Sequence, residues 1–346
     1  MPGGLLKENR QLDEYPDPAG ISRLKQCLAE RKKVIVICGP TGIGKTGLGI
    51  ELARLFDTGI ISADSMQVYR GMDIGTGKAD SGKYGVRQFM IDLFEPDHDF
   101  SVKEFRDMTE KILKEDFLDA EKVPLLVGGS GMYIKAVIDG IDESPGKNRD
   151  FRSKTGAGMD SKGTIEYYEK LKEIDGAYAA KISKNDRRRI LRALEVYEAA
   201  GSPYSDFQRS WKKKARFNAV MIGLKRERSS LYRIIEERVD NMFEKGLVDE
   251  VRSLADRGYG KCQSLVQAVG YKEVLGFLEH RISLEECKSQ VKTNSRRLAK
   301  KQMTWFRHDD RINWLTVDNY DNISDLIKES LMIIGQDQEY GKDRVL

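Results

Sequence analysis

The run Gly39-Pro40-Thr41-Gly42-Ile43-Gly44-Lys45-Thr46 satisfies G-x-x-x-x-G-K-[ST] at every fixed position. The chemistry of that pattern is phosphate binding. Its glycines let backbone N–H groups curl around phosphate oxygens, Lys45 adds a positive charge, and the Thr46 hydroxyl can hold Mg²⁺. The pattern names a di- or triphosphate group and no more. Its usual companion is a second strand ending in an Asp that orders the metal. Gly128-Gly129-Ser130 closes one apolar run without an acid, whereas Ser62-Ala63-Asp64-Ser65-Met66-Gln67 follows another. Asp64 is therefore the candidate carboxylate, as a base or as an organiser of Mg²⁺.

Such a loop must leave a strand and open a helix. Residues 34–38 are a continuous apolar run bounded by glycine, as expected for a strand buried on both faces of a parallel sheet. Residues 48–56 read as the helix after it, and 60–62 and 123–129 as further strands. A longer helix is predicted over 101–122, where Ser101 and Glu104 have capping-box spacing. Its Phe105, Met108, Ile112, Leu113 and Phe117 recur on one face, which predicts core. Strand–helix–strand order implies right-handed crossovers.

From 142 to 163 the chain is polar, Gly-rich and unpatterned. Beyond it the reading is almost entirely helix: 164–174, 187–200, 229–245, 248–257 and 283–307, several followed by a glycine at the expected C′ place. The fold class is α/β, a P-loop-type parallel sheet flanked by helices, with a mainly helical insertion and a helical C-terminal part. The expected divisions are a tail and short helix (1–32, helix 21–31), the P-loop core (33–141), the insertion (142–210), a helical part completing the core (211–335) and a tail (336–346).

At 346 residues the prior is about two domains. Hydrophobic residues at 40% supply a core and argue against intrinsic disorder. No apolar run approaches the ~20 residues a bilayer-spanning helix needs, so no membrane is expected. Four cysteines without a C-x-x-C pair, and three histidines, argue against a Cys/His zinc site and fit a reducing compartment. With no apolar stretch in the first twenty residues, the expectation is a cytoplasmic protein. Nothing demands a state beyond a monomer. The net charge of +4 is mild, but Lys and Arg cluster in the second half, which suits an anionic partner.

Taken together, GPTGIGKT, IISADSMQVYRGMDIGTGK and PLLVGGSGMYIKAVIDG resemble the tRNA dimethylallyltransferases. SKNDRRRILRALEVYE, LKRERSSLYRIIEERVDNMFEKGLVDEV, QAVGYKEVLGFLEH and RRLAKKQMTWFR continue the likeness across roughly 33–315. The resemblance implies transfer of a dimethylallyl group from its diphosphate to the exocyclic N6 amine of the adenine 3′ of a tRNA anticodon. Diphosphate leaves, and Mg²⁺ assists. The implied partners are the tRNA anticodon stem-loop and dimethylallyl diphosphate. Gly39 to Thr46 would then hold diphosphate, with Thr46 on the metal. The implied catalytic residues are Asp64, Thr41, Lys45, Ser130 and Arg228, with Asp64 accepting the amine proton.

The resemblance also carries a tRNA-contact set. It comprises Asp64, Ser65, Met66, Gln67, Ser130, Arg152, Arg188, Arg189, Ile190, Leu191, Arg192, Gln267, Gly270, Tyr271 and Lys272; Lys300, Lys301 and Arg307 join it because two i,i+4 rows of positive charge suit a phosphate backbone, the alternative being an ordinary helix end. Gln67 is expected beside the flipped adenine. Arg189 and Arg192 share a helix face, and the alternative for them is an ordinary solvated surface. Arg228, Arg233 and Arg238 recur along one predicted helix, and Arg228 is expected at the active site. Trp305 and Phe306 are both expected in the core. Where a His pair is common in the family, Val86-Arg87-Gln88-Phe89 stands. Two rival readings are a small-molecule or nucleoside kinase, which would turn over ATP, and a non-catalytic RNA-binding module.

Overall fold

The run after Lys32 forms β1 (Lys33–Cys38), buried along its whole length. Five more strands join it: β2 (Ile60–Ala63), β3 (Gln88–Phe89), β4 (Leu125–Gly128), β5 (Asn218–Lys225) and β6 (Ile312–Thr316). Every pairing is parallel and the order is β3-β2-β4-β1-β5-β6. In this computed structural model the described residues are 18–79, 81–141, 143–209 and 215–339. The expected tails therefore lie largely outside them, and the first helix, Pro18–Glu30, begins three residues before its predicted start.

The sheet departs from expectation in one respect. The C-terminal half contributes β5 and β6, so that half is not simply helical. β5 pairs along β1 from Lys33↔Asn218 to Cys38↔Gly223, which places β1 centrally, between β4 and β5. In open parallel sheets, ligands bind beyond the strand C-termini where the order reverses, and β1 ends there in Gly39. Helix Lys45–Leu55 buries Leu48, Ile50 and Leu52 against the sheet. Helix Val102–Ile112 has its capping box and buries Phe105, but the last part of the predicted long helix is a π-helical turn, Leu113–Leu118. Arg87 and Gln88 sit at β3: the Ile60 N–H donates to the Arg87 carbonyl at 2.9 Å, and the Arg87 guanidinium lies 4.2 Å from the Phe89 ring.

The chain divides into two units. One takes residues up to Ile138 and from Phe217 onward, and the other spans Asp139–Arg216. In the smaller unit, the segment that read as unpatterned contains helix Arg149–Lys162. It is capped by the Asn148 side chain, which accepts from the Phe151 N–H, and it keeps Gly156 and Gly158 inside it. Tyr167 lies so close that a Cβ on Gly158 would collide with its hydroxyl, so packing outweighs helix propensity there.

Helix Arg187–Ala200 in the same unit ends at Gly201 in left-handed backbone, as its sequence predicts. Its Glu195 is fully buried. Glu195 accepts from the Asn148 N–H (2.7 Å), Arg152 Nε (2.7 Å) and Nη2 (2.8 Å), and Arg192 Nη1 (2.8 Å). Arg192 Nη2 also donates to Ser144 Oγ and the Pro145 carbonyl. Arg152 and Arg192, expected on RNA phosphate, thus clamp an internal carboxylate. Ile190 is fully buried in this unit's core, so its side chain offers no surface. Arg188 and Arg189 are exposed, and Leu191 is half-buried.

Burial alone would raise the Glu195 pKa, but the bonds from Arg152, Arg192 and the Asn148 amide prevail and lower it to about 2. A depressed carboxylate stabilises the fold above its unfolded pKa and loses that contribution as pH falls toward the folded value. Glu195→Ala, which removes the carboxylate between the Arg152 and Arg192 guanidiniums, is expected to cost ~3 kcal/mol at neutral pH. That deficit should shrink as pH drops below about 4. Urea denaturation of parent and variant across pH checks this; a deficit independent of pH would contradict the clamp.

Candidate active site

The phosphate loop is shaped by close neighbours. Gly39 has φ 141°, and a Cβ there would come within 2.6 Å of the Leu224 carbonyl on β5, so only glycine lets the loop leave the sheet here. Lys45 Nζ donates to the Pro40 carbonyl at 2.7 Å, folding its ammonium back over the loop. Gly44 caps helix Lys45–Leu55 in left-handed backbone with no side-chain hydrogen bond, which leaves the first-turn amides for an anion. Thr46 is exposed. Burial lowers the Lys45 pKa to about 8; the Asp64 carboxylate opposes that shift and the Arg238 guanidinium adds to it.

Asp64 follows β2 directly, and its Oδ1 accepts the Met66 N–H at 2.9 Å. Ser130 ties the ends of two strands together. Its N–H donates to the Ala63 carbonyl at 3.1 Å, and its Oγ accepts from the Ser65 N–H at 3.3 Å. The Gln67 amide is turned inward, accepting from Ser62 Oγ at 2.7 Å and donating to the Thr76 carbonyl at 3.3 Å.

Opposite Asp64 stands Arg238 of helix Arg228–Glu244. Burial lowers its pKa and Asp64 counters that. Its Nη2 donates to the Thr76 carbonyl at 3.4 Å, and a Cβ on Gly77 would collide with the guanidinium. Arg228, expected at the active site, lies elsewhere on that helix. It sits at the first turn of that helix, with Nε 3.1 Å from the Tyr232 hydroxyl and its guanidinium over the Tyr232 ring. Arg238, not Arg228, is the arginine of this helix that faces Asp64.

Two further side chains, which the sequence analysis did not single out, hold the site together. Gln302 Oε1 accepts the Thr41 N–H at 2.8 Å, and its Nε2 donates to the Gly129 carbonyl at 3.1 Å, coupling the phosphate loop to the end of β4. Glu250 accepts from the N–H groups of Asp73 (3.0 Å), Ile74 (2.7 Å) and Gly75 (3.3 Å) and from the Tyr271 hydroxyl (2.6 Å). Gly75 is packed so tightly that any Cβ would strike Tyr271. The stretch GMDIGTGK is thereby held as a wall.

That wall, Thr41, Asp64 and Arg238 border a cavity of about 90 Å³. Its remaining lining is chiefly apolar: Met66, Ile235, Val239, Met242, Ala268, Val269, Val291 and Leu298. The cavity thus joins the charged Asp64 and Arg238 to a chiefly apolar remainder. Among the described residues, no group of three or more His, Cys, Asp or Glu could hold a metal ion.

Residues 67–309 match the family model described as IPP transferase, and residues 32–92 match one described as isopentenyl transferase. A tRNA dimethylallyltransferase of Geobacillus thermodenitrificans is 42% identical over 300 residues, covering 86% of this chain and 95% of that protein. The chain belongs to the tRNA dimethylallyltransferase family. The Halothermothrix orenii member is likewise 42% identical, over 88% of this chain. A crystal structure of the tRNA isopentenylpyrophosphate transferase of Bacillus halodurans superposes with a TM-score of 0.65 at 38% identity, covering 90% of this chain and 99% of that one. A eukaryotic dimethylallyltransferase, solved acting on tRNA, superposes with a TM-score of 0.67 at 26% identity.

The expected contact set separates by exposure. Gln267, Lys272, Lys300, Lys301 and Arg307 are exposed, and Lys300, Lys301 and Arg307 carry no ion pair among the described residues. Gly270 is buried, and Tyr271 is completely buried with its hydroxyl on Glu250, so Tyr271 shapes the cavity wall rather than a surface. Phe306 is in the core as expected, but Trp305 is 41% exposed, its indole lying where a Cβ on Gly131 would be. No described helix is long and apolar enough to cross a membrane.

Proposed function

We propose that this chain transfers a dimethylallyl group from dimethylallyl diphosphate to the N6 amine of the adenine 3′-adjacent to the anticodon in tRNA, releasing diphosphate. The observation that carries the reading is the placement of Asp64 and Arg238 between a phosphate loop and an apolar cavity. A diphosphate ester with a short hydrocarbon tail has the same two-ended character.

Residues 39–46 bind the diphosphate through loop amides, and Lys45 neutralises charge that builds on the leaving oxygen. Arg238, desolvated beside Asp64, adds a permanent positive charge at the same end. The adenine amine is a weak nucleophile, so Asp64 accepts its proton as the C–N bond forms and the C–O bond to diphosphate breaks. The Met66 amide on Oδ1 orients the carboxylate and leaves Oδ2 for that proton. Mg²⁺ fits this donor set, because it is usually held by one or two protein oxygens plus substrate phosphates rather than by a protein cage. Thr46 would hold it, and it supplies further neutralisation of diphosphate when bound. Monomeric, cytoplasmic action is consistent with the reading.

Exposed Arg188 and Arg189 on the smaller unit, and Lys300, Lys301 and Arg307 on the larger, supply cations for the RNA backbone. The double variant Arg188→Ala/Arg189→Ala is expected to weaken anticodon stem-loop binding and to reduce the salt slope by about one to two. Binding measured at several salt concentrations checks this, and equal slopes would place those arginines off the RNA. The activity test is incubation with the stem-loop, dimethylallyl diphosphate and Mg²⁺ without ATP. Diphosphate release that needs both substrates supports the reading. No diphosphate release there, with ADP formed from ATP in a parallel incubation, would indicate a kinase, and tight RNA binding with no product a non-catalytic module.

A further inference from the structure

The apolar cavity has a direction. Helix Leu284–Phe306 runs antiparallel to helix Arg228–Glu244, fixed by the ion pairs Arg296–Glu236 and Lys292–Asp240. On helix Arg228–Glu244 the lining residues are Ile235, Arg238, Val239 and Met242, spaced i, i+3, i+4, i+7 and so on one face. Across from them stand Leu298, Ser295 and Val291. The phosphate end is the Ile235 end, because a Cβ on Gly42 of the loop would come within 3.2 Å of Ile235 Cγ1. Met242 lies two turns away, about 10 Å along the axis.

The sides of that far end are rigid. Val239 and Val291 are each 1% exposed, and Tyr271 is fully buried with its hydroxyl on Glu250. β-branched and pinned aromatic side chains do not move aside. The end of the row is taken by half-buried Met242, a longer side chain than either valine and the one whose shortening adds most room there.

Resting on the reading above, we infer that Met242, set opposite Val291, is the stop that limits the donor to one isoprene unit and excludes longer prenyl diphosphates. The reaction is unchanged: the same C–O bond breaks, the same C–N bond forms, and the leaving electron pair departs with diphosphate. Only the volume beyond the reacting carbon is selected. A site that lacks room for a longer tail discriminates through kcat/KM, at roughly 10–200-fold per small group misfitted.

The experiment compares kcat/KM for dimethylallyl and geranyl diphosphate with the anticodon stem-loop as acceptor, in the parent, Met242→Ala and Met242→Val. Shortening the stop should raise the geranyl-to-dimethylallyl ratio about tenfold or more in the Ala variant and less in the Val variant, with KM for RNA unchanged. An unchanged ratio in both variants would overturn the assignment, and the Val variant keeps that test available if Met242→Ala does not fold. A parent inactive with either donor would instead overturn prenyl transfer itself, and this inference with it. A parent that already uses geranyl diphosphate as well as dimethylallyl diphosphate would overturn the stop alone.

Discussion

Asp64→Asn is expected to lower the single-turnover rate of prenyl transfer by about 10²–10⁴-fold, or ~3–5 kcal/mol of barrier. Asparagine keeps the shape and can still accept the Met66 N–H through its amide oxygen, so the turn after β2 survives. What it loses is the basicity that removes the amine proton. Affinity for RNA should change far less, because a carboxylate does not attract phosphates. An Asp64 that instead ordered Mg²⁺ for Thr46 makes another forecast: excess Mg²⁺ would restore much of the rate, and diphosphate affinity would drop. Single-turnover rates against Mg²⁺ concentration separate the two. A rate that stays low with both substrates bound supports the base, and rescue would reject it.

Lys45→Ala is expected to reduce kcat/KM for the prenyl diphosphate by at least ~100-fold, ~2.7 kcal/mol, while leaving RNA binding intact. The ammonium is desolvated and folded onto the Pro40 carbonyl, so it meets the diphosphate at a water-poor position where a charge interaction is strong. The lowered pKa of about 8 adds a pH signature. Diphosphate binds the protonated lysine. Below pH 8 that form is already present, and affinity is flat. Above it, binding requires proton uptake, so the dissociation constant should rise about tenfold per pH unit. Calorimetric titration with diphosphate between roughly pH 7 and 9.5 should show the rise in the parent and not in Lys45→Ala. Identical profiles would assign the titration to another group.

The parts of the fold that could be read from sequence are those whose causes are local. The phosphate loop, the capping boxes at Ser101 and Ser283 and the left-handed glycines at 201, 246 and 258 each depend on a few adjacent residues. β5 and β6 depend on partners elsewhere in the chain. β6 is only five residues long, and β5 owes its place to pairing with β1 from the other half of the sequence. In the site, the arginines at 228, 233 and 238 recur every five residues. At 100° per residue that spacing turns each by about 140° from the last, so neighbours in the row cannot share a face. Arg228 and Arg238 differ by only about 80° in phase but stand about 15 Å apart along the axis, and only the position of Asp64 says which one matters. Gln302 falls on the stripe that also carries Ser295 and Leu298, a signal that could have found it. Glu250 is one acid among many, and its three backbone partners exist only once the 73–75 turn is folded against it.

The most direct measurement of the central claim is mass analysis of the nucleosides from an anticodon stem-loop RNA incubated with this protein, dimethylallyl diphosphate and Mg²⁺. One adenosine, that next to the anticodon on its 3′ side, should gain the mass of a single isoprene unit, with the fragment ion placing it on the base at N6. The gain should vanish in Asp64→Asn over the same time. RNA recovered with every adenosine unmodified, from protein that binds both substrates, would contradict the account.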